Sequence, residues 1–155
     1  MIKWYFIVCF NLFFVSTVSS KNIDTDYIRH FYEKAVTEKK ICEMMIKKLE
    51  QVELDNVQLA YLGVLQTLWA KHISNPFSKW TAFKKGKTNI DKAIKNENDN
   101  VETRFLRLSV QKNCPKFLGY HQNIHEDELY LKAHIETVKS EDLKRRVSEI
   151  LKVSY

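Results

Sequence analysis

Arg104, Arg107 and Gln111 stand three and four residues apart, so on a helix they form one narrow polar stripe flanked by Phe105, Leu106, Leu108 and Val110. Two guanidinium groups on one face can hold a carboxylate or a phosphate bidentately. The stripe is therefore expected to give polar contacts to a partner, with Tyr61, Trp80 and Tyr120 as apolar ones. The plainer alternative is a salt-bridged helix face with Glu102 or a neighbouring acid as its partner. His121 and His125 form an H-x-x-x-H pair followed by Glu126, Asp127 and Glu128. On a helix both imidazoles would share a side and suit zinc, but Gly119 just before them argues for a loop and no third ligand is fixed, so they are weak metal candidates and no cofactor is expected. Cys42 and Cys114 could pair in an oxidising compartment, or stay separate as small apolar thiols. No G-x-S-x-G elbow and no glycine-rich phosphate loop is present, and Cys114 has no fixed histidine partner. Catalysis is not expected.

The elements that must position these groups read as helices. The chain has only 3 glycines and 2 prolines, and apolar residues recur at helical spacing. Asp24 or Thr25 caps a first helix bearing Ile28, Phe31, Tyr32 and Ala35. Thr37 caps a second, bearing Ile41, Met45, Leu49 and Val52. Asp55 and Gln58 occupy capping-box positions before a strongly apolar third helix, Val57 to His72. Asn75 and Pro76 open a fourth, in which Gly86 is expected to permit close helix contact. After the polar connector NENDN comes VETRFLRLSVQKN, stopped by Pro115. Residues 115–128 read as a loop, followed by two more helices, the second starting at Ser140. Phe77, Trp80, Phe117 and Tyr120 lie near helix ends, where aromatic rings could line a partner site.

The first twenty residues have Lys3, an apolar stretch from Trp4 to Val18 and small residues at the end, the layout of a secretory signal peptide cut before Lys21. The stretch is shorter than the roughly 20 apolar residues that span a bilayer. The remaining residues, 21–155, suit a single domain. The formal charge of the chain is +6, with basic and acidic residues interleaved as on a solvated helix surface rather than gathered as on a nucleic-acid-binding face.

The stretch GKTNIDKAIKNENDNVETRFL resembles the second helix of a tetratricopeptide repeat running into the next repeat, with Gly86, Ile90 and Ala93 at its small, large and alanine places. Leu62 and Gly63 resemble the leucine–glycine pair of that repeat's first helix, and the likeness covers residues 55 to 112. The segments AKHISNPFSKW, FKKGK and VETRFLRLSVQKNCPKFLGY also resemble small exported proteins of Bacteroidetes-type bacteria. These resemblances imply an all-α stack of about seven antiparallel hairpin helices, working as a non-enzymatic protein- or peptide-binding factor in the periplasm or outside the cell of a bacterium. A carrier of a small or lipidic ligand is the first alternative, and a metal-dependent enzyme the second.

Overall fold

A computed structural model describes residues 22–154; the expected leader and its cleavage site lie outside them. Among the described residues the chain is all-α, with seven helices: α1 (Thr25–Thr37), α2 (Lys39–Leu49), α3 (Asn56–Trp69), α4 (Pro76–Asn96), α5 (Val101–Asn113), α6 (Ile124–His134) and α7 (Glu141–Lys152). Among the described residues no helix is long and apolar enough to cross a membrane.

The helix starts follow from short polar side chains that satisfy the free amides of a first turn. Asp24, rather than Thr25, caps α1, and Asn75, Asn100 and Ser140 cap α4, α5 and α7. At α3 the capping box is complete: the Gln58 amide donates to Asp55 at 2.8 Å, and the Asp55 amide donates back to the Gln58 side chain at 3.3 Å. Thr37 does not cap α2. It is the last residue of α1 and its hydroxyl donates to the Lys34 carbonyl, while Glu38, in extended backbone, precedes α2 without a side-chain cap.

Each helix packs on the next in the chain, and the odd-numbered helices also pack in succession, α1 on α3, α3 on α5 and α5 on α7. The tightest approach is between α3 and α4. They run antiparallel, since Asn56 meets Asn96 at one end while Gly63 meets Gly86 at the middle. A β-carbon at Gly63 would stand 2.6 Å from the Gly86 carbonyl oxygen, and one at Gly86 would collide with the Gly63 carbonyl oxygen in turn. Neither backbone leaves room for a side chain.

α3 is enclosed on every side from Ala60 to Thr67, and α5 is buried from Glu102 to Leu108. The outer helices close round them. α1 and α7 meet where Glu33 accepts from Arg145 at 3.3 Å and pairs with Arg146 at 3.2 Å, and the Arg146 guanidinium lies 5.8 Å from the Tyr32 ring. The odd-numbered helices thus form an inner row with a filled interior, and α1 and α7 touch through side chains at its edge.

Candidate functional site

The arginine stripe of α5 finds its carboxylate inside the chain. Arg107 donates from Nε and Nη2 to the two oxygens of Asp127 at 2.7 and 2.6 Å, the bidentate geometry expected of such a pair. Arg104 donates to Asp127 at 3.0 Å, to Glu126 at 2.5 Å and to the Asn98 carbonyl at 2.7 Å, and its guanidinium lies 4.6 Å from the Tyr130 ring. Asp127 is completely buried and both arginines nearly so. At Arg107 burial alone would lower the pKa, but the hydrogen bond and charge of Asp127 raise it, so the guanidinium stays charged. Gln111, fully buried, donates to Asn123 at 3.5 Å, and its carbonyl oxygen has no hydrogen-bond partner among the described residues.

This geometry depends on where α6 begins. The sequence places a loop through Glu128; the helix starts at Ile124, with Glu126 and Asp127 in its first turn, where acids complement the helix dipole. The stripe faces that turn instead of an open groove. Tyr61 and Tyr120, also expected at a partner site, are core residues. The Tyr61 hydroxyl donates at 2.7 Å to buried Glu102, which also takes both Nε and Nη2 of Arg29 at 2.8 and 2.5 Å. Burial first, and Glu102 second, push the Tyr61 hydroxyl far above the usual tyrosine range.

His121 lies in the loop and His125 in the first turn of α6, both exposed, so the pair does not share one helix face. Among the described residues no three His, Cys, Asp or Glu side chains are grouped to hold a metal. Cys42 and Cys114 are free thiols, not a disulfide. Two surface hollows of about 430 and 410 Å³ are open and lined mainly by polar side chains, the first by Asn22–Thr25 with Asp55 and Gln58, the second by Lys40, Glu43, Met44, Lys47, Lys48 and Gln51. Neither is an enclosed apolar chamber.

Of the residues expected at a partner site, Trp80 is at the surface, 48 % exposed, together with Phe77 at 78 % and Phe117 at 86 %. Phe83 and Tyr120 lie beneath Trp80. Trp80 stacks on Phe83 with ring centres 6.4 Å apart, Phe83 meets the Tyr120 ring edge-on at 6.2 Å, and Tyr120 is anchored by its hydroxyl to Asp91 at 2.7 Å. The first turns of α4 and the loop after α5 therefore share one end of the molecule.

That end has one sign of charge in its sequence. None of the 19 acidic residues falls within residues 56–90 or 103–125, whereas Lys71, Lys79 and Lys84 are exposed there and Lys87 lies 5.1 Å from the Tyr120 ring. The gap in acids is a linear signal that net charge alone conceals. What brings its two segments together is the contact between Phe83 and Tyr120, across a sequence separation that helical spacing does not reveal. No family model matches the chain, and no curated protein or solved structure matches it either.

Proposed function

We propose that this chain is a non-enzymatic docking module, an accessory factor of the bacterial cell envelope that acts by surface contact through its aromatic, basic end. The observation that carries this reading is the exposure of Phe77, Trp80 and Phe117, in two segments of the chain that contain no acidic residue. Burying one such ring stabilises a complex by about 1.5–3 kcal/mol, and grouped exposed rings mark contact surfaces more often than isolated ones do. The arginine stripe, expected to make the polar contacts, has an internal role in this reading. Lysines at the aromatic end take its place.

Export with removal of residues 1–20, and a degenerate tetratricopeptide-like stack, belong to the same proposal. The latter draws support from the order of helix packing and from the contact of Gly63 with Gly86. In an open stack of that kind the inner row of helices binds the peptide. Here the inner row is filled, which moves the proposed contact to the outer end. The test is photo-crosslinking from position 80 in living cells, with position 44 on α2 as the control. Adducts specific to position 80 are expected; equal or absent labelling at both sites overturns the reading.

A further inference from the structure

Resting on the docking reading above, we infer that the surface engaged by the aromatic end is an anionic lipid headgroup layer. Ser74 to Thr81 form an unbroken exposed run, so the first turn and a half of α4 stands clear of the body on all sides. Phe117 projects from a second element, the turn Lys116–Leu118. Two projecting prongs of exposed rings have no walls to enclose a peptide, whereas a soft planar layer can admit them without a preformed pocket. Aromatic rings favour the boundary between headgroups and acyl chains, and lysines behind them can keep their stems on apolar material while the ammonium groups reach phosphate.

Charge complementarity selects the anionic layer. Lys71, Lys79 and Lys84 are exposed in or just before α4, and residues 56–90 contain no acid of their own; Lys85, further along the helix, is paired with Glu50 at 2.7 Å. The base is stiff, because Phe83 is buried against Tyr120 and Tyr120 is held by Asp91. Ring insertion and lysine attraction would act together: a few partly buried rings give weak binding alone, and each lysine near an anionic surface adds to it. The expected attachment is reversible and salt-sensitive, with no segment crossing the bilayer.

The experiment is co-sedimentation of the exported, purified protein with vesicles of equimolar phosphatidylglycerol and phosphatidylcholine, compared with phosphatidylcholine alone. Preferential binding to the acidic vesicles is expected, with a blue shift of tryptophan emission that disappears in Trp80→Phe. Binding should fall at least about tenfold in a Phe77→Ser, Trp80→Ser, Phe117→Ser variant and similarly in Lys79→Glu, Lys84→Glu, all exposed sites, with native circular dichroism expected of both variants. Equal binding to both vesicle types, or binding indifferent to the aromatic variant, overturns the lipid inference. If the native protein ignores both vesicles yet captures an envelope protein that the aromatic variant does not, the lipid inference falls and the docking reading stands. If it binds nothing in either assay, both fall.

Discussion

Asp127 shows how much of this fold rests on a single carboxylate. It accepts three hydrogen bonds from two buried guanidinium groups, so removing its charge leaves them only the half-exposed Glu126 as counter-charge. Asp127→Asn is expected to cost about 3–5 kcal/mol, read from urea unfolding. The triple variant Arg104→Met, Arg107→Met, Asp127→Leu should recover most of that loss, because replacing a whole buried ionic group by apolar side chains is often neutral. Glu126 adds a pH dependence: its hydrogen bond from Arg104, with one from Asn123, holds its carboxyl below the usual range. A lowered folded-state pKa gives stability that is present above the ordinary carboxylate value and lost as pH falls through the folded one. The urea midpoint should therefore drop in acid and remain level through neutrality, unless Glu126→Gln removes this contribution. Burial pushes the Cys42 thiol up to about 11, so at neutral pH a thiol reagent should label it only when denaturant opens the core. The spacing of the arginines identified their chemistry. It could not identify Asp127, because nothing along the chain distinguishes it from Glu126 and Glu128; only the phase of α6 turns it inward.

At the scale of elements, helices are legible where local chemistry decides them. The Asp55–Gln58 box, Asn75 followed by Pro76, and the need for a small residue at Gly86 are all satisfied by neighbours within a turn or by one facing backbone. Gly63→Ala tests the facing contact. Alanine would gain about 1 kcal/mol of helix propensity, but its β-carbon would meet the Gly86 carbonyl and Ile90, and overpacking against backbone costs about 1–3 kcal/mol. A lowered thermal midpoint is expected; a raised one would show that α3 and α4 can separate freely. The start of α6 was less legible, because Asn123 makes no capping bond and the helix is held by tertiary contacts to α5. The same holds for the break at Glu38, where one extended residue divides what helical spacing alone would allow to continue.

In the whole molecule, α5 carries opposite charges on two sides, Glu102 toward Arg29 and Tyr61, and Arg104 and Arg107 toward α6. All-α character was readable from composition and spacing. The contact between α1 and α7 was not, since Glu33 and Arg145 lie 112 residues apart and each resembles any other surface charge. Glu33 and Arg145 are exposed, so their pairing is screened by solvent and adds little to stability. Glu33→Lys should leave global stability nearly unchanged while hydrogen exchange quickens in α1 and α7 and stays slow in α3; unchanged exchange in the outer helices would show that the seam bears no strain of its own. An open stack of hairpins can lengthen by tandem duplication, because each end offers a seat for the next unit. In this chain Glu33 of α1 already pairs with Arg145 and Arg146 of α7, so a duplicated hairpin placed after Lys152 would have to compete with those side chains for the face of α7 that bears them. The contact between α1 and α7 therefore bears on engineering as well: a hairpin added after Lys152 is expected to weaken the Glu33 pairs before it can dock.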